Sequence, residues 1–271
     1  MVEDGRRMSL DTRDELIETN RQHIDAWSVF ARNAPSGVVD ERPGVMVTLH
    51  GGSLGLLNAA FLLGPARDVA DLERRLASAH EMAGQRTPGW VFTACEEWLP
   101  DGAAAGFERA GRKPYMRVTG MVAPALRPPR RALPSIELRR VDSGEARRAV
   151  AEINARCYGF EGEAMDPWLA AIEPERFWEG LIGVLGYVDG EPVATATAMI
   201  VNDCTHVVLV ATLPEHRRRG YAEVALRRAL EEAIAAGGAR RTTLHATEAG
   251  APLYAEMGYR AVARFTTYGP R

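Results

Sequence analysis

The second half of the chain alternates apolar and polar positions in a legible order. IELRRV, residues 136–141, predicts a short strand, and DSGEARRAVAEINARCYG predicts a helix with Asp142 or Ser143 capping the free amides of its first turn. In GVLGYVDGEPVATATAMIV two apolar runs flank Asp189-Gly190, a dipeptide that favours the positive backbone dihedrals of a tight hairpin turn. HVVLVATLP supplies a third strand. Beyond Gly220 the positions Ala222, Leu226, Ala229, Leu230, Ala233 and Ile234 form one helical stripe that Gly237-Gly238 ends. A buried strand (RTTLHAT), a short helix (GAPLYAEMG) and a last strand (YRAVARFTTY) complete the half. The predicted order is β, α, three meandering strands, α, β, α, β.

The first half is also mixed. Leu16, Ile17, Ile24, Trp27 and Phe30 recur at helical spacing, as do Val69, Leu72, Leu76 and Ala79, and GVMVTLH, WVFTA and PYMRVTGM read as strands. GFERAGRKPYMRV echoes LYAEMGYRAVARF, each a helix, a glycine and a strand, which suggests a diverged internal copy. Prolines 124, 128, 129 and 134 mark 122–135 as a linker, because proline removes amide donors and biases each preceding residue toward extended backbone. The expected division is a mixed α/β domain over 1–121, the linker, and a second domain over 136–271.

Composition changes this picture little. The 271 residues are 46% hydrophobic and 25% charged, an ordinary globular balance, and the net charge of -3 argues against a surface built for nucleic acid. Cys95, Cys157 and Cys204 stand far apart in no metal-ligand spacing, so reduced thiols in a cytoplasmic protein and no metal are expected. The opening MVEDGRRMSL is charged, and the apolar run LGLLNAAFLLG is too short to span a bilayer, so no membrane role is expected. The expected assembly is a monomer or homodimer.

The chemistry is concentrated at PEHRRRGYAEVALRRALEEA, residues 214–233. At a helix start the first four amides lack partners and the peptide dipoles leave about half a positive charge, so anions bind there. Gly220 admits close backbone approach, Ala222 keeps the next amide accessible, and Arg217 and Arg219 add charge from the rim, with Arg218 between the two arginines and Tyr221 between Gly220 and Ala222. Upstream, a strand that runs into Pro214 is expected to splay and leave backbone groups of Val210, Ala211 and Thr212 to an extended, amide-bearing ligand. A pyrophosphate on a flexible diamide arm describes coenzyme A.

VATLPEHRRRGYAEVALRRAL followed by LHATEAGAPLYAEMGYRAV resembles the two core motifs of the GCN5-related N-acetyltransferase (GNAT) superfamily, over roughly residues 136–268. In that family R-x-x-G-x-G/A binds the acetyl-CoA pyrophosphate, which here falls on Arg217, Gly220 and Ala222. The resemblance implies an α/β (α+β) fold with a mixed, mostly antiparallel central sheet flanked by helices; the first half lacks a Gly-rich anion loop and an equivalent of Tyr254, so it is expected to be a degenerate, non-catalytic copy that walls part of the acceptor groove. It also implies Tyr254 close to the thioester sulfur as general acid. Thr247 stands where many members have asparagine, which puts the usual side-chain contact to the cofactor in doubt. The expected reaction is direct attack of a small-molecule or peptide amine on acetyl-CoA; a non-catalytic acyl-CoA-binding module is the alternative. An alkyl amine titrates near ~10.4 and must lose a proton before attacking. Candidates to accept it are Glu161 and Glu163, with Asp166, Glu173, Glu175, His206 and His245 also available.

Overall fold

The computed structural model describes residues 10–84, 86–87 and 89–271; the charged opening segment, residues 1–9, lies outside them. The first half runs α1 (Leu10–Arg32), β1 (Val38–Arg42), β2 (Val45–Leu49), β3 (Asn58–Leu62), α2 (Val69–Ala83), β4 (Val91–Cys95), α3 (Ala103–Arg109) and β5 (Arg112–Ala123). The second runs β6 (Glu137–Arg140), α4 (Gly144–Cys157), α5 (Asp166–Ile172), β7 (Leu181–Val188), β8 (Glu191–Val201), β9 (Cys204–Thr212), α6 (Tyr221–Ala235), β10 (Thr242–Ala246), α7 (Ala251–Met257) and β11 (Arg260–Pro270). Ser143 caps α4, and Asp189-Gly190 turns the β7–β8 hairpin with both residues at positive φ.

Among the described residues all eleven strands join one sheet in the order β1-β2-β3-β4-β11-β5-β10-β9-β8-β7-β6. Exchanging β1–β5 with β7–β11 reverses the first ten strands onto themselves, so the halves repeat one plan: a three-strand meander, helix, strand, helix, strand. In each, the meander's last strand runs parallel to the next one, β3 to β4 and β9 to β10. Each half then sends its final strand across the centre. β5 pairs with β10, β11 pairs with β4, and β5 and β11 pair antiparallel along ten registers.

The sheet is therefore continuous across the expected boundary, and β5 carries Val122 and Ala123, the first two residues of the expected linker. Exchange mixes the cores: Ala263, Phe265 and Tyr268 of β11 pack with Leu72, Phe92 and Phe107, while Met121 and Ala123 of β5 pack with Leu226, Leu244 and Met257. Both edge strands, VVDER and ELRR, are charged, which disfavours edge-to-edge pairing.

Helix α1 crosses the middle of the sheet at Gly120, where an added Cβ would come within 2.4 Å of Thr19 Cγ2. With α4 and α5 it covers one face, Ala26 and Phe30 joining Val150, Ile172 and Leu185, and α6 covers the other. Asn33 donates to the carbonyls of Phe177 and Glu179, and Arg241 holds Glu18 at 2.5–2.7 Å, so α1 is anchored to the second half. Among the described residues no helix is long and apolar enough to cross a membrane.

Candidate active site

The sheet opens where β9 and β10 part. Their pairing ends at Leu244 with Val207, so β9 from Val208 onward has no neighbour on that side. A bulge in the β8–β9 pairing, between Thr195 and Thr197, coincides with Leu209 at φ 50°, a conformation costing a non-glycine residue about 1–2 kcal/mol. Leu213 N–H donates to Val193 O and Ala211 sits opposite Thr195, so by strand alternation Leu213 and Ala211 face β8. Val210 and Thr212 turn their amides into the gap. The Thr212 carbonyl is already taken by Arg217 Nε (3.0 Å) and the Cys157 thiol (3.2 Å). Ala211 was an expected donor to the ligand, but the ladder engages its amide, so only its other atoms line the opening.

The gap widens into a groove of about 450 Å³ that runs from Tyr158, Thr247 and Tyr254 to the start of α6. Val210, Ala211, Thr212, Arg217, Arg218, Gly220, Tyr221, Ala222, Thr247 and Tyr254 all line it, so the sequence-predicted residues converge on one surface. Arg219 does not. It turns to the far side of the loop and donates to the Glu215 carbonyl at 3.2 Å.

Gly220 is the N-cap of α6 at φ 87°, in the left-handed region that glycine occupies without penalty. No side chain caps this helix, and Val224 is its first amide with a backbone acceptor, Gly220 O at 3.2 Å. The amides before it are open to the groove. Glu223, the carboxylate nearest this anion-seeking turn, is held by Arg227 at 2.7 Å, which offsets its charge. The linker completes the rim with Arg131 and packs Pro134 against Gly220. Nothing in the spacing of RPPRRALP pointed to Arg131.

Tyr254 is 8% exposed; burial, then the neighbouring phenols Tyr259 and Tyr158, raises its pKa well above the usual range and keeps its proton on the oxygen. Thr247 uses its hydroxyl to accept from Gly250 N (3.3 Å) at the start of α7, a local role that competes with contact to a ligand. Glu161 and Glu163 stand exposed beside α5 and line neither the groove nor the cavity behind it, so their position gives no support to a role as base.

That cavity, of about 140 Å³, opens from the groove at Tyr158 and Thr247. Helix α1 contributes His23, Trp27 and Phe30, β9 and β10 contribute His206 and His245, and α5 contributes Trp168 and Ile172. Burial lowers the pKa of all three histidines: His206 to about 4, and His23 and His245 well below their ordinary range, where the other imidazoles add to the effect. His206 Nδ1 is hydrogen-bonded to Thr243 Oγ1 at 2.8 Å, whereas both nitrogens of His245 and Nδ1 of His23 lack a partner. Tyr158, missed in the sequence because it closes α4 without a motif, stacks on Trp168 at 5.2 Å and forms the partition between groove and cavity.

The equivalent turn in the first half is closed. Asp68 accepts from Asp71 N at 2.7 Å to cap α2, Arg67 N donates to Asp71 Oδ2 at 3.0 Å, and Ala66 N donates to the Trp98 carbonyl. Its own carboxylates fill the place where an anion would sit. Phe107 stands four residues before Gly111 as Tyr254 stands before Gly258, without the hydroxyl.

Residues 147–259 match the family model described as the acetyltransferase (GNAT) family. No curated protein matches the chain in sequence. Among solved structures, a GCN5-related N-acetyltransferase from Kribbella flavida is similar over 97% of this chain and 96% of its own, at 22% identity and a TM-score of 0.67. A tandem GNAT protein from the clavulanic acid biosynthesis pathway aligns over 95% of each chain at 14% identity and TM-score 0.55. A GCN5-related N-acetyltransferase from Sphaerobacter thermophilus covers 83% of this chain and 76% of its own, at 17% identity and TM-score 0.55. The likeness to these structures is one of fold.

Proposed function

We propose that the protein, whose residues 147–259 match the GNAT acetyltransferase family model, transfers an acetyl group from acetyl-CoA to an amine by direct attack with both substrates bound. The observation that carries this reading is the uncapped α6 terminus at Gly220–Ala222, opening onto a groove whose floor is the splayed edge of β9. The open amides and Arg217, Arg218 and Arg131 hold the diphosphate, and the Val210 and Thr212 amides pair with the pantetheine arm as a neighbouring strand would.

Acetyl-CoA supplies an activated thioester at the Tyr254 end of the groove. The inward amides of β9 stabilise negative charge developing on the acyl oxygen. Tyr254, kept protonated by burial, donates to the departing sulfur. Glu161 and Glu163 line neither the groove nor the cavity, so the amine's proton passes to water in the open groove.

The first half serves this reading as a degenerate copy. It binds no acyl carrier, since Asp68 and Asp71 fill its own turn, and α1 closes the acceptor side. Thiol release with acetyl-CoA and a panel of amines tests the proposal. Release that depends on an amine supports it; tight acetyl-CoA binding with no thiol release for any amine refutes turnover.

A further inference from the structure

The acceptor cavity carries information about what enters it. Among the described residues lining it there is no Asp, Glu, Lys or Arg; its walls are aromatic and aliphatic apart from Thr93, Thr247, Thr267, Asn154, the Tyr158 hydroxyl and three imidazoles. The rings of His23 and His245 lie 3.9 Å apart and those of His206 and His245 5.6 Å apart. So close a buried group is stable only while uncharged, and burial holds all three histidines neutral at pH 7.

An alkylammonium entering here would leave water without meeting a carboxylate. Effective penalties for an unpaired buried ion are several kcal/mol, enough to exclude it. Size narrows the choice further. The volume of about 140 Å³ is close to that of an apolar protein cavity of roughly 150 Å³ that takes up benzene, so there is room for one six-membered ring. The faces and edges of Trp27, Phe30, Trp168 and Phe177 enclose that ring.

Resting on the acyl-transfer reading above, we infer that the acceptor is a weakly basic single-ring amine of the aniline class, admitted uncharged into the cavity between α1 and α5. Polyamines, aminoglycosides and lysine side chains are excluded by charge and by size.

Calorimetric titration of the full chain at pH 7.5 with aniline, with benzylamine as the ring-matched ammonium, and with acetyl-CoA tests this. Aniline is expected to bind at least ten-fold more tightly than benzylamine. Leu57→Trp, which fills the cavity from the first half, is expected to weaken aniline at least ten-fold while acetyl-CoA affinity holds and reports an intact fold. Should that variant fail to fold, Leu56→Trp on the half-buried neighbour serves the same purpose. Benzylamine binding as tightly as aniline, or aniline binding unmoved by the plug, overturns the inference. If acetyl-CoA binds and aniline does not, this inference fails and acyl transfer stands; if aniline binds and acetyl-CoA does not, acyl transfer fails and the acceptor assignment with it.

Discussion

Acidification should destabilise this protein through the imidazoles that line the cavity between α1 and α5, and His206 allows the effect to be sized. It is 1% exposed, and burial holds its pKa at about 4 in the native state, against ~6.5 for an unfolded histidine. Between those values the unfolded chain binds a proton that the native chain refuses, so stability present above pH ~6.5 is lost as pH falls toward 4. At roughly 1.36 kcal/mol per pKa unit, moving from pH 7.5 to 5.0 crosses about 1.5 units and removes roughly 2 kcal/mol through this one residue. His23 and His245 shift in the same direction, and both are lowered further by His206. His206→Asn keeps an amide near the Thr243 hydroxyl but cannot titrate. Urea unfolding of both proteins at the two pH values isolates the term from the carboxylates, which are common to both. The variant should lose at least ~2 kcal/mol less than the wild type on acidification. Equal losses would mean that His206 is protonated in the native state, and the neutral-cavity argument would fall.

Three further outcomes follow from the geometry. Tyr254→Phe should leave acetyl-CoA affinity within two-fold and lower kcat by about 10²-fold, measured by thiol release and calorimetry; unchanged kcat refutes the acid role. Gly220→Ala places a side chain at φ 87° with its Cβ 3.0 Å from Pro134 Cδ, a cost of about 1–2 kcal/mol that should lower Tm and weaken acetyl-CoA about ten-fold. A fragment of residues 136–271 should fail to fold as a monomer, by circular dichroism and gel filtration, because β5 sits between β10 and β11; a stable, active fragment would contradict the importance of strand exchange.

Much of the second half was legible because its signals are local. A capping serine, an Asp-Gly turn, a helical stripe and a glycine at an arginine-rich helix start each act within a few residues. The charged edge strand β1 was not legible, since Asp40, Glu41 and Arg42 carry no apolar alternation, and in β3 the residues after Asn58 are all apolar and show no alternation. Strand exchange was invisible for a deeper reason: β5 and β11 have the same character, and nothing local states which neighbour each will choose. The cavity escaped notice because His23, Trp27 and Phe30 on α1 look like an ordinary packing stripe until the second half is laid beneath them. Glu161 and Glu163 read as candidates by charge alone, and spacing gave no sign that they would stand exposed outside both the groove and the cavity. Leu209 gave no warning of its left-handed backbone, which the bulge imposes.

The most direct test is a crystal structure of the full chain with acetyl-CoA. Diphosphate oxygens about 3 Å from the amides of Gly220, Tyr221 and Ala222, with the pantetheine arm along Val210–Thr212, are the predicted result. A saturated crystal in which that turn contacts no phosphate would contradict it.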